Sequence, residues 1–132
     1  MNGFPIQLMA IDWCNGDRTT KAADMTRAAV QSIAQRRDPA AFPILLAHHP
    51  HAFDEAAKAC LPLTLSGHTH GGQIMVTPNF GAGSTMFRYW SGLYRKPNGS
   101  QLIVSNGIGN WFPLRVNAPA EVLRLTLRTP KH

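Results

Sequence analysis

The fold is decided by the segment LPLTLSGHTHGGQ, residues 61–73, in which an apolar run opens into a loop that carries two histidines. The run at residues 61–65 is short, contains a proline and ends in small residues, which is typical of a buried strand that leads into a loop. His68 and His70 are two residues apart, so in an extended chain their side chains point to the same side. Two imidazoles placed in this way suit a pair of metal ions roughly 3.5–4 Å apart. Exposed loops also carry such histidines without any function, so this segment needs support from the rest of the chain.

The composition indicates the class of protein and the kinds of partner that suit the chain. Its 132 residues are 44% hydrophobic and 15% charged, as in one ordinary globular domain or part of one. The net charge of +6 comes from basic residues that are scattered and not interleaved with aromatic residues, so no specific nucleic-acid partner is indicated. An anionic substrate accounts for the same excess of positive charge.

Neither the cysteines nor the apolar runs indicate a compartment. Cys14 and Cys60 are too few for a disulfide framework. No apolar run approaches the ~20 residues of a membrane span, and the N-terminus lacks a secretory signal pattern. The chain as given is therefore expected to be soluble. In the complete protein both a cytoplasmic and a membrane-peripheral location stay open, and contact with a membrane is not indicated either way.

Hydrophobic periodicity and turn residues predict helices and strands along the chain. The predicted elements are a strand at 6–11, a helix at 20–36, a strand at 43–47, a helix at 52–60, a strand at 61–65, an apolar segment at 73–76 with a loop at 77–85, a hairpin of 91–96 and 101–105 around the turn 97–100, and a half-buried last strand at 121–128.

The order strand, short helix, strand between residues 43 and 65 predicts where the histidines lie in the fold. This order is a βαβ unit, whose two strands run parallel and end at the same edge of a sheet. Open α/β folds bind their ligands at that edge. His48 follows the first strand, and His68 and His70 follow the second, so the three imidazoles are expected to converge as metal ligands.

Several blocks then carry a family resemblance. In chain order they are ILLAHHP at 44–50, SGHTHGGQ at 66–73, SGLY at 91–94, VSNGIG at 104–109 and PLR at 113–115. This series resembles the C-terminal half of a calcineurin-like metallophosphoesterase, and in particular the bacterial branch whose members are often tethered at the membrane. The resemblance covers residues 43–128.

The resemblance implies an α/β (α+β) fold with four layers, α-β-β-α, around a site that hydrolyses phosphate esters. In the complete family site two divalent transition metal ions (Mn, Fe, Zn or Co) share a bridging hydroxide. By correspondence His48 and His68 bind one ion and His70 binds the other. The positions expected to line the site are His49, Gly67, Asn106 and Gly107.

The chain also departs from the family pattern. The upstream motifs D-x-H, G-D-x-x-D and G-N-H-D/E are absent, and the stretch GDRTT at 16–20 only begins like the second of them. Asn106 stands where close relatives tend to carry arginine. No catalytic residue can be assigned, and at most one metal ion is expected here. Residues 1–132 are thus interpreted as a single partial domain, the C-terminal part of a metallophosphoesterase whose N-terminal half is absent, and as inactive alone.

Two other classes of function stay open, and the fragment interpretation has a further consequence. Three histidines and a water would also make a mononuclear zinc hydrolase. A non-catalytic interaction module or remnant would need no metal at all. An incomplete domain leaves apolar sheet uncovered near residues 6–11 or 43–47, so self-association is expected.

Overall fold

A computed structural model describes residues 4–12, 20–77 and 80–128 of the chain. Cys14 and the Asp17 loop, which the sequence analysis considered, lie outside these ranges. The strands and helices are β1 (Ile6–Ile11), α1 (Thr20–Ala34), β2 (Phe42–Ala47), α2 (Ala52–Lys58), β3 (Leu63–Ser66), β4 (Met75–Thr77), β5 (Phe80–Gly81), α3 (Ala82–Met86), β6 (Gly92–Arg95) and β7 (Gln101–Val104), with a 3₁₀ turn at His70–Gly72.

The main sheet has five strands in the order β1-β2-β3-β7-β6. The pairs β1–β2, β2–β3 and β3–β7 are parallel, and in the described part of this sheet only β6–β7 is antiparallel. A separate two-stranded sheet pairs β4 with β5. The predicted βαβ unit is confirmed, since β2 and β3 are adjacent and α2 connects them. The predicted hairpin around residues 97–100 is also confirmed. The fold class is therefore α/β with a sheet that is mostly parallel.

Both long helices cover the same face of this sheet. Val30 of α1 and Ala56 of α2 are fully buried in a cluster with Leu45 of β2. A second cluster places Phe53 of α2 against Leu102 of β7. One face of the sheet thus has a helical layer over it, which corresponds to one outer layer of the four-layer arrangement.

The opposite face of the sheet is largely exposed. Strand register places Leu8, Leu46 and Leu93 on this face, and 66% of the surface of Leu8 is accessible. Within the described residues β1 pairs only with β2, so its other edge is open. The exposed apolar face and open edge expected near residues 6–11 and 43–47 are present. We call this surface the second face.

Two sequence-based expectations about the second half of the chain are wrong. Residues 121–128 form no strand, because within the described ranges no neighbouring strand pairs with them. Leu123 and Leu125 lie instead over the second face and enclose a groove of about 350 Å³ with Leu65 and Ile103. The predicted loop at 77–85 contains the short strand β5 and the helix α3. This helix is fixed by close packing, since a side chain at Gly83 would overlap the ring of Trp90.

No helix in the described ranges is long and apolar enough to cross a membrane.

Candidate functional site

The two histidine-bearing loops begin where β2 and β3 end, at one edge of the sheet. The carbonyl oxygen of His48 accepts hydrogen bonds from the Ser66 hydroxyl at 2.9 Å and from the Gly67 amide at 3.3 Å. These bonds join the two strand ends. The Nε2 atom of His48 then lies 3.0 Å from Nδ1 of His68. The parallel strands therefore bring these two imidazoles into direct contact.

Both histidines of the loop after β3 have strained backbone conformations. The φ angle of His68 is 70° and that of His70 is 49°, in the left-handed region. Each such residue costs roughly 1–2 kcal/mol relative to a right-handed conformation. Thr69 between them is fully buried, and its hydroxyl donates a hydrogen bond to the carbonyl of Trp90 at 2.6 Å. Strain that the surrounding packing maintains in this way is found mainly at functional sites.

His70 is oriented by the segment that follows β7. Its Nδ1 atom lies 3.1 Å from the carbonyl oxygen of Asn106 and 3.4 Å from Nη2 of Arg115. The carbonyl oxygen can only accept, so in the tautomer that bonds to it Nδ1–H donates and Nε2 has the lone pair that a metal ion needs. Asn106 is buried, and its side-chain oxygen accepts a hydrogen bond from Ser91 at 2.9 Å. A Cβ atom at Gly107 would lie 3.8 Å from Nδ1 of His70. Asn106 thus contacts His70, and Gly107 lies next to it.

His49 joins the histidine pair through its ring. Its centroid lies 4.2 Å from that of His68 and 4.0 Å from that of His51, which is exposed. Burial lowers the pKa of His49 to about 3, and the neighbouring charges of His51, His68 and His48 act in the same direction. Burial also lowers the pKa of His68, with contributions from His48, His70 and His51. Near neutral pH the imidazoles of His49 and His68 are therefore uncharged, as metal binding requires.

Asp12 is a residue of this edge that the sequence analysis did not single out. It follows β1 and lines a small cavity of about 10 Å³ together with His48, His49 and His51. Because β1 is parallel to β2, its carboxyl end lies at the same edge as His48. The rule that predicted the convergence of the histidines would have found Asp12 once β1 was assigned to the same sheet.

Gln73, at the end of the histidine loop, holds a distant segment in place. Its side chain is fully buried. Its Nε2 donates hydrogen bonds to the carbonyl oxygens of Phe112 and Leu114, both at 2.8 Å. Its Oε1 accepts hydrogen bonds from the amides of Trp111 and Phe112. We call these four bonds the Gln73 clamp.

The Gln73 clamp places Trp111 beside the histidines. The indole centroid lies 5.5 Å from the ring of His70 and 6.1 Å from the ring of His68. The ring of Phe87 lies 6.0 Å from Trp111 and 6.1 Å from His68. No local pattern in the sequence singles out Trp111 or Phe87, because only the folded chain brings them to the histidine loop.

The ring nitrogens of His48 and His68 are spaced as two ligands of one metal ion would be, but a third ligand is not in place. Two nitrogens bound tetrahedrally at 2.0–2.1 Å to one zinc ion stand roughly 3.3 Å apart, close to the 3.0 Å between His48 and His68. In the parts of the chain that the structure describes, no three His, Cys, Asp or Glu side chains surround one ion position. The expected convergence of three imidazoles is therefore incomplete, because the ring of His70 lies beside Asn106, Arg115 and Trp111.

Comparison with known proteins identifies similar chains. An uncharacterized metallophosphoesterase of Helicobacter pylori strain J99 is 37% identical over 100 residues, which cover 74% of this chain and 26% of the relative. An uncharacterized metallophosphoesterase of Campylobacter jejuni is 36% identical over 116 residues, covering 87% of this chain and 29% of the relative. One of Bacillus subtilis is 30% identical over 136 residues, covering 87% and 46% respectively.

This chain thus spans less than half of the length of these three relatives. No family model matches the chain, and no solved structure matches it.

Proposed function

This chain belongs to the calcineurin-like metallophosphoesterase superfamily, and from that premise we propose that it carries the histidine side of a metal-dependent phosphoesterase site. The reaction is the hydrolysis of a phosphate monoester or diester. The observation that carries the proposal is the contact of 3.0 Å between His48 and His68 at the ends of two parallel strands. Family membership supports the class of reaction, and this contact supports the proposed location of the site at the ends of β2 and β3.

The metal ion proposed here is a single divalent transition ion, Mn, Fe, Zn or Co, since these accept imidazole ligands. His48 and His68 are its ligands, and His70 would join them through Nε2 only after a movement of its ring, since the described residues do not bring three imidazoles around one position. For both nitrogens of the contact to face one ion, His48 carries its proton on Nδ1 and His68 on Nε2. When bound, such an ion polarises phosphoryl oxygens and lowers the pKa of a bound water.

A second ion on this chain is not part of the proposal. A binuclear centre needs carboxylates that bridge and neutralise two dications. Asp12 shares the cavity of His48 and His49, and its single charge does not balance two ions. We therefore expect little hydrolysis by this chain alone, although its histidines belong to a phosphoesterase site.

Titration calorimetry with Mn²⁺ and with Zn²⁺ tests the proposal. The wild-type chain should bind one ion with a dissociation constant in the micromolar range or weaker. His48→Ala and His68→Ala should each weaken binding at least about tenfold, because each removes one of the ligands. His51→Gln is the matched control and should bind as the wild type does. An unchanged affinity in His68→Ala would contradict the proposal.

A further inference from the structure

Trp111 is a tryptophan that the fold exposes instead of burying. Its side chain is 42% accessible, whereas Trp90 is 6% accessible and packs with Met75 and Ala118. Burying an indole is strongly favourable, so a structural tryptophan resembles Trp90. Within this chain the indole of Trp111 is therefore not part of the core, and the groups around it show what it faces.

The surroundings of Trp111 are rings. The indole is tilted by 45° to the ring of Phe87, at 6.0 Å between centroids. Phe87 also lies 6.2 Å from the ring of His49, and Trp111 meets His68 and His70 edge-on. Aromatic pairs favour offset or edge-to-face contacts with centroids 4.5–7 Å apart. Trp111 and Phe87, which we call the aromatic wall, offer such contacts to one further ring bound next to the histidines.

The backbone that carries Trp111 is held in position by hydrogen bonds within the chain. The buried amide of Gln73 bonds the backbone of Trp111 on one side and of Phe112 and Leu114 on the other. The side chain of Gln73 is fully buried, and its four hydrogen bonds go to an exposed loop. These bonds therefore hold that loop in place. Preorganisation of this kind lowers the entropic cost of binding.

We propose that Trp111 and Phe87 form a subsite for an aromatic group of the phosphate ester. The inference rests on the proposed function, which places the phosphoryl group at His48 and His68. An aryl group attached through one oxygen to that phosphorus then lies against Trp111. The preferred substrate class is therefore aryl-bearing phosphate esters over simple alkyl esters.

Three ligands of equal charge test the subsite by NMR: phenyl phosphate, cyclohexyl phosphate and methyl phosphate. The chain has three tryptophans, so the indole N–H signal of Trp111 is assigned by its loss in Trp111→Phe, and that of Trp90, the internal control, by its loss in Trp90→Phe. Each ligand is titrated into ¹⁵N-labelled wild type, Trp111→Phe and Trp111→Ala, once with a chelator and once with Zn²⁺. The chelator series measures the subsite without any contribution from a metal.

Phenyl phosphate should shift the Trp111 signal, leave the Trp90 signal in place and bind roughly 2- to 10-fold more tightly than methyl phosphate. Trp111→Ala should remove this preference, and Trp111→Phe should keep part of it. Equal binding of phenyl and cyclohexyl phosphate, or no shift of the Trp111 signal at millimolar phenyl phosphate, would overturn the proposal. If Zn²⁺ leaves the affinity for all three ligands unchanged while phenyl phosphate still binds more tightly than methyl phosphate, the proposed metal site is wrong and the aromatic subsite is supported.

Discussion

The Gln73 clamp makes the substitution Gln73→Leu a sharp test of how the site loop is held. Leucine has nearly the same volume and stays buried, so the change removes hydrogen bonds without opening a large cavity. The bonds lost are two from Nε2, both at 2.8 Å, and two to Oε1. All four partners are backbone groups of residues 111–114.

The expected loss of stability follows from these four bonds. A net hydrogen bond contributes about 0.5–1.5 kcal/mol, and a buried partner that is left unpaired costs about 1–3 kcal/mol. Trp111, Phe112 and Leu114 are exposed, so water can replace part of what is lost. We therefore expect Gln73→Leu to lower the free energy of unfolding by roughly 3–4 kcal/mol, against a total of about 5–15 kcal/mol for typical proteins.

Urea unfolding followed by tryptophan fluorescence measures this effect. Gln31→Leu, at an exposed position of α1, is the matched control and should stay within about 0.5 kcal/mol of the wild type. Gln73→Glu keeps one acceptor but turns a carboxylate towards the carbonyls of Phe112 and Leu114, so it should be at least as destabilising as leucine. A loss below about 1 kcal/mol in Gln73→Leu would refute the clamp.

The remaining predictions concern activity, pH and association. The chain alone should hydrolyse bis-p-nitrophenyl phosphate no faster than free metal does, because it has no identified general acid; metal-dependent turnover that His68→Ala abolishes would contradict this. With a chelator present, lowering the pH should lower the urea midpoint. The pKa of His49 is 6.5 in the unfolded chain and about 3 in the folded chain, so the unfolded chain binds the proton more readily. The stability that this gives above pH 6.5 is lost as the pH falls towards 3. His49→Gln should flatten this dependence, and an identical slope in that variant would count against the mechanism. The second face should make the chain associate and bind a hydrophobic dye, and Leu8→Lys should reduce both; a monomer by light scattering with a cooperative melt and no dye binding would argue for a self-sufficient domain.

The part of the fold that could be predicted is the part whose signals are local. β2 and β3 are short apolar runs and α2 between them is a short amphipathic segment. The rule for parallel strands then brings His48 and His68 together. The hairpin of β6 and β7 follows from a proline-asparagine-glycine turn in the same way. In both cases neighbouring residues in the sequence are also neighbours in the structure.

The rest depends on contacts between distant residues. The alternation at residues 121–128 describes an amphipathic extended chain, but a strand also needs a partner, which sequence periodicity does not report. The helix α3 depends on close packing of Gly83 against Trp90 and Gly72. Gln73 acts on residues almost forty positions away, so its spacing in the histidine motif gave no hint of its role.

The pairing of β7 with β3 has a consequence for the order in which the site assembles. The β1-α1-β2-α2-β3 unit joins each strand to the next one in sequence, whereas β7 reaches β3 only after the chain between Ser66 and Gln101 has closed as one long loop. Loop closure costs conformational entropy before any contact compensates for it, so docking of β7 is expected late in folding. The contact of His48 with His68 then belongs to the early unit, and the bond from His70 to Asn106, which spans 36 residues, is added last. In hydrogen exchange, β2 and β3 should therefore be protected before the segment around Asn106, so that the loop with Trp111 becomes ordered only in a chain that is otherwise folded.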